Sequence, residues 1–137
     1  ETEQIEYMVR NAVTRILPVG LTYAQYEVLN LLCRRGDGVT PGEIARALML
    51  TKSSLTNTLQ RLAARKLAQV ETSKSDGRRK RVLLTAEGRA AYMQTMASLR
   101  PKLEGLSDGF TPKEFREALP FLRALRTWLG ENAVGQG

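Results

Sequence analysis

Along most of this chain the apolar positions recur every three or four residues, the period of helices buried on one face. Ile5, Met8, Val9, Ala12, Val13, Ile16 and Leu17 predict an amphipathic helix over residues 2–17, ended by Pro18 and Gly20. Thr22 and Gln25 form a capping box, in which each side chain satisfies the other residue's free backbone N–H. Tyr26, Leu29, Leu32 and Cys33 supply the buried stripe of a second helix, closed by the Arg-Arg-Gly-Asp-Gly run at 34–38. Thr40 and Glu43 repeat the capping box, with Pro41 where a missing N–H costs nothing. Ile44, Ala45 and Leu48 face inward from that short helix. Thr51 caps a fourth helix reaching about Lys66, with Leu55, Leu59 and Leu62 along its inner side.

Beyond Leu67 the pattern changes to alternation. Residues 68–73 and 80–84 predict two strands around an Asp76-Gly77 turn signal. A two-residue turn there would set Val70 opposite Leu83. A loop centred on Asp76 would pair Val70 with Val82 and Ala68 with Leu84, keeping one apolar face. The second fits the alternation better, although Leu83 leaves the register open. Either way Arg78 and Arg79 lie near the tip. Thr85 then starts a long helix with Tyr92, Met93, Met96, Leu99, Leu103 and Leu106 on a broad apolar stripe, and Pro101 should bend or break it. Thr111, Pro112 and Glu114 mark a last helix carrying Phe115, Leu119, Leu122, Leu125, Trp128 and Leu129, with a kink expected at Pro120. Gly135-Gln136-Gly137 should fray.

The order is therefore three helices, a reading-length helix, a hairpin and two further helices. That is mainly α, with a helix-turn-helix and a β-hairpin wing between terminal helices. A length of 137 residues suits one domain, and the 42% apolar share suffices for a core. No run of 18 apolar residues exists, so no membrane span is expected. The first residues are acidic and helix-periodic, unlike a secretory leader. The chain begins at Glu1 without Met, which fits a trimmed chain or a domain. One cysteine, Cys33, rules out a disulfide within the chain and fits a reducing, cytoplasmic setting. On the buried stripe, Cys33 reads as a small core hydrophobe rather than an oxidant sensor. Histidine is absent, which removes His triads, His metal sites and His general bases, and a single Cys removes a thiolate zinc site. No cofactor or metal is expected.

The formal charge is +7, and its placement matters more than its size. Residues 51–81 hold nine basic side chains against two acidic ones, so the whole excess lies there. By 100° per residue, the outer side of the fourth helix carries Ser53, Asn57, Gln60 and Ala64, flanked by Thr56 and Arg61. No acid occurs from Thr51 to Gln69. In a helix-turn-helix the second helix enters the major groove. Short polar side chains allow close approach, and Asn57 and Gln60 can pair with adenine. Ser53, Thr56, Asn57 and Gln60 are thus the candidate base readers. Lys52, Ser54, Arg61, Lys74, Arg79, Lys80 and Arg81 are candidate phosphate contacts.

Three stretches carry a family resemblance: LTYAQYEVLNLL at 21–32, VTPGEIARALMLTKSSLTNTLQRLAARKL at 39–67 and SDGRRKRVLLTAEG at 75–88. Together they resemble the MarR-type winged helix-turn-helix transcription regulators. Asp76, Arg78, Leu84, Thr85 and Gly88 occupy the positions of that family's wing signature. The resemblance implies one domain over 1–137, with dimerisation helices at 1–20 and 86–137 and a winged helix-turn-helix lobe at 21–85. It implies a homodimer, with Arg78 entering the minor groove and Asp76 orienting it. It also implies a crevice for small aromatic or phenolic anions, which Tyr7, Arg10 and Arg15 could face. Two positions depart from the family. Met49 replaces a small or Gly residue in the turn, and Lys66 stands where Gly often ends the recognition helix, which strains the backbone if φ is positive.

The expected function is that of a DNA-binding transcription repressor acting on a pseudo-palindrome and released by such a ligand. Two other classes remain at this point: a winged helix that binds an acidic protein partner, and an enzyme. The enzyme is disfavoured, because no nucleophile–base pairing is visible.

Overall fold

The computed structural model of the chain describes residues 1–36, 38–72 and 79–132. Helix α1 spans Thr2–Ile16, α2 Tyr23–Arg35, α3 Pro41–Leu48 and α4 Lys52–Ala64. Strands β1, Ala68–Thr72, and β2, Lys80–Leu84, form an antiparallel hairpin. Helices α5, Ala86–Gly109, and α6, Pro112–Asn132, follow. The helices start where side-chain oxygens replace missing backbone partners. Thr22 Oγ1 accepts from Gln25 N at 3.2 Å, and Gln25 Oε1 accepts from Thr22 N at 3.3 Å. Thr40 and Glu43 reproduce this at 3.2 and 3.1 Å, and Thr51 Oγ1 accepts from Ser54 N at 3.2 Å. Each cap contributes about 1 kcal/mol.

The chain divides into two compact units, Glu1–Leu99 and Arg100–Gly137. In the first, α2, α3 and α4 close around Val28, Leu29, Leu32, Ile44, Leu55, Leu59 and Leu62, with Leu67 and Val82 completing the core. The hairpin pairs Ala68 with Leu84, Val70 with Val82 and Thr72 with Lys80, the register centred on Asp76. Val39 adds a one-residue third strand, its carbonyl accepting from Val82 N at 2.8 Å. This is a helix-turn-helix with a wing. In the second unit, Thr111 caps α6 by accepting from Glu114 N at 3.2 Å, and Phe110 meets Phe115 edge to face at 6.1 Å between centroids. Among the described residues no helix is long and apolar enough to cross a membrane.

Both helices of the helix-turn-helix, α3 and α4, close in the same way. Met49 has φ 54°, with Leu50 N donating to Ala45 O at 2.9 Å, and Lys66 has φ 62°, with Leu67 N donating to Leu62 O at 2.9 Å. These are left-handed closures normally given to Gly. A side chain there costs about 1–2 kcal/mol. Burial of Leu67 and half-burial of Leu50, each immediately after the strained residue, help offset it.

Four sequence expectations are refined. Cys33 is only half-buried at the edge of the α2 stripe, where Arg89 Nη1 approaches its sulfur at 3.6 Å. Helix α5 continues through Pro101 and α6 through Pro120, so Pro101 does not break its helix: one missing N–H bond does not stop a long helical run. Helix α4 ends at Ala64, before the left-handed Lys66. On the α5 stripe, Met93 and Leu103 are exposed.

Candidate nucleic-acid interface

The site is built on α4, whose inner leucines fix which side faces out. Thr51, Lys52, Ser53, Thr56, Asn57 and Gln60 line a shallow concavity of about 580 Å³. Thr56 Oγ1 donates to Lys52 O at 2.8 Å, so its proton is committed to the helix and its oxygen serves as an acceptor. Asn57 and Gln60 are exposed, and among the described residues their amides have no partner. Two donors and an acceptor on each are free to read an edge. Ser54 and Arg61 are also exposed, to the side of this concavity.

The strand register splits the basic run of the wing. Side chains alternate between faces, so Lys80 shares a face with Val82 and Leu84, while Arg81 lies on the other with Glu71. Lys80 joins Lys52, Thr56, Gln60, Val70 and residues of α3 around a second concavity of about 710 Å³. Arg81 turns towards the loop before Val39, where a side-chain carbon on Gly38 would come within 2.8 Å of its Nη1. Arg79 is exposed just before β2. Lys74, Asp76 and Arg78 lie outside the described residues, and so does their expected pairing. Among the described residues, none that lines either concavity is acidic. The surface combines cations, small hydroxyls and exposed amides, the chemistry that suits a polyanion with readable edges.

The candidate ligand residues sit apart from this, on α1. Arg10 bonds Glu6 at 2.9 Å and lies 4.8 Å from the centre of the Tyr23 ring on α2. Tyr7, 67% exposed, and Arg15 project from the same helix. Beneath Arg10, burial raises the Glu27 carboxyl above its ordinary range, with the Arg10 charge opposing, and raises the Tyr23 phenol as well. Ile5, Met8 and Val9 of α1 are exposed, as are Phe115, Leu119, Leu122 and Leu129, which form one stripe along α6. Among the described residues no group of His, Cys, Asp and Glu could hold a metal ion.

Sequence reasoning missed two polar ties at the far end of α4. Arg65 Nη2 donates to Val19 O at 3.4 Å, and Thr85 Oγ1 donates to Lys66 O at 2.7 Å. The only sequence signal for either is Thr85 itself, three residues before Gly88 at a helix start.

Residues 19–79 match the MarR family. Solved structures resemble nearly the whole chain. A MarR family transcriptional regulator from Silicibacter pomeroyi is 28% identical, with a TM-score of 0.77 over 96% of this chain and 86% of that one. MepR of Staphylococcus aureus in complex with DNA is 23% identical, with a TM-score of 0.80 over 93% and 94%. BpsR of Bordetella bronchiseptica, whose DNA binding is regulated by 6-hydroxynicotinic acid, is 24% identical, with a TM-score of 0.73 over 91% and 96%. No curated protein matches the chain.

Proposed function

We propose, for a chain that is a MarR-family winged helix-turn-helix protein in its fold and its central segment, that it binds double-stranded DNA as a homodimer and represses transcription. The observation that carries this is the outer face of α4: acid-free, small, and bearing the amides of Asn57 and Gln60, which have no partner among the described residues. Two copies would set their α4 helices in successive major grooves, about 34 Å apart. Ser53, Thr56, Asn57 and Gln60 would read bases. Lys52, Ser54, Arg61, Lys74, Arg79 and Lys80 would hold phosphates, with Arg81 the weakest of the set because it turns towards Gly38. Asp76 would hold Arg78 for the minor groove. The catalytic role is empty in this reading, and the setting is the cytoplasm.

Site selection from a random duplex pool tests the reading. The wild type should enrich a pseudo-palindrome. Asn57→Ala should lose preference at one symmetric pair of positions, by about 1–3 kcal/mol each. An unchanged consensus would remove Asn57 from the readers, and no enrichment by the wild type would remove the function.

The apolar stripes on α1 and α6 support self-association, since exposed faces of this length are normally covered. Sedimentation at micromolar concentration should give twice the chain mass, and a single-chain mass would exclude the homodimer. For control, the aromatic acid named for BpsR supports an effector of that class. Tyr7, Arg10 and Arg15 are the proposed contacts. Such a ligand would shift DNA binding only through different affinities for two arrangements of the dimer.

A further inference from the structure

Thr85 stands between the wing and α5, and its hydroxyl does two things at once. Its oxygen accepts from Gly88 N at 2.9 Å, capping α5, while its proton goes to Lys66 O at 2.7 Å, at the end of α4. Its backbone N–H adds a bond to Leu67 O at 3.2 Å. Both acceptors belong to the strained left-handed closure at Lys66. Arg65, next to it, lies against Gly20 and donates to Val19 O. The C-terminal end of α4 is thus tied to the start of α5 and to the loop between α1 and α2. The other end of α4, from Lys52 to Ser54, is exposed.

Leu55, Leu59 and Leu62 seat the inner side of α4 in the core, and the ties at its C-terminal end bear on the angle at which it lies there. At 1.5 Å per residue α4 is about 18–20 Å long, so a tilt of about 10° at Lys66 moves its first turn by about 3 Å. Hydrogen bonds to base edges do not survive such a shift, whereas attraction to phosphates falls off far more slowly.

We propose that Thr85 is a positioning residue, whose hydroxyl clamps α4 to α5 and sets the angle at which the reading face is presented. The consequence for DNA rests on the function proposed above; the clamp itself does not. Two measurements on the full chain separate them, using Thr85→Val, which keeps the branched shape without the hydroxyl, and Thr85→Ser, which restores the hydroxyl.

The first is amide hydrogen exchange without DNA. In Thr85→Val the amides of Lys66 and Leu67 should exchange about tenfold faster, the size of one lost hydrogen bond, together with that of Gly88. Thr85→Ser should stay within about twofold of the wild type. Faster exchange confined to the first turn of α5 would make Thr85 an ordinary cap and overturn the proposal.

The second is affinity for a selected site against random duplex. Thr85→Val should lose about tenfold on the selected site and less than about twofold on random DNA, whose binding is mostly electrostatic. Equal losses on both would overturn the positioning role. A wild type that selects no site would sink the DNA reading, and the exchange measurement would still decide the clamp.

Discussion

Gly88→Ala should destabilise the winged helix-turn-helix by about 3 kcal/mol and lower its melting temperature by about 10 °C, an effect at the upper end of overpacking. The cause is contact rather than backbone freedom, because Gly88 sits in helical conformation at the third position of α5. A carbon added there would overlap the carbonyl oxygen of Leu67 and come within 2.8 Å of Leu84 Cδ1. The Leu84 side chain can rotate away, but Leu67 cannot. Its N–H is bonded to Leu62, its carbonyl accepts from Thr85, and its side chain is in the core. The added methyl therefore has to push α5 away from the end of α4. Gly105→Ala is the control on the same helix. Beyond the helix's own backbone, no described residue comes within 4 Å of a carbon added there, so the better helix former should add about 0.5–1 kcal/mol. Thermal and urea unfolding of both variants would measure the contrast. A Gly88→Ala protein within about 0.5 kcal/mol of the wild type would show that α5 shifts freely.

That close approach explains why a Gly follows Leu84-Thr85 in the wing signature, which the sequence shows only as spacing. Other features were legible directly, because they depend on residues near one another in the chain. Thr22 with Gln25 and Thr40 with Glu43 need only three residues to form a cap, and both do. The register followed from the apolar alternation of Val70 with Val82, and Leu83 blurred it because the opposite face of the hairpin is only half-buried there. What was illegible depends on tertiary context. Met49 and Lys66 contradict the residue preference of their own backbone conformation, and buried neighbours hold them in it. Val39 acts as a strand one residue long, too short to show a period. Cys33 has the right spacing for the α2 stripe, but that stripe runs out of cover at its last turn. In the candidate site, the face of α4 came from periodicity alone. The division of labour within the basic run needed the register.

That division carries the other large effect. Arg79→Ala combined with Lys80→Ala should weaken duplex binding about a hundredfold at 0.1 M salt and flatten the log-affinity against log-salt slope by about 1.8, or 0.9 per phosphate contact. Both side chains are exposed and outside the core, so the fold should not change. Arg81→Ala alone should behave differently, although it removes the same charge from the neighbouring position. Strand alternation puts Arg81 on the face opposite Lys80, with its guanidinium over Gly38 rather than beside Lys52 and Gln60. Its removal should change the slope by less than about 0.3, because a charge facing away from the duplex releases few counterions. Titrations of one selected duplex at four salt concentrations would separate the cases. A purely compositional view of residues 78–81 predicts the same slope loss from every position. Equal losses from Lys80→Ala and Arg81→Ala would mean that both side chains reach the duplex, and that the hairpin rotates on binding to bring Arg81 round.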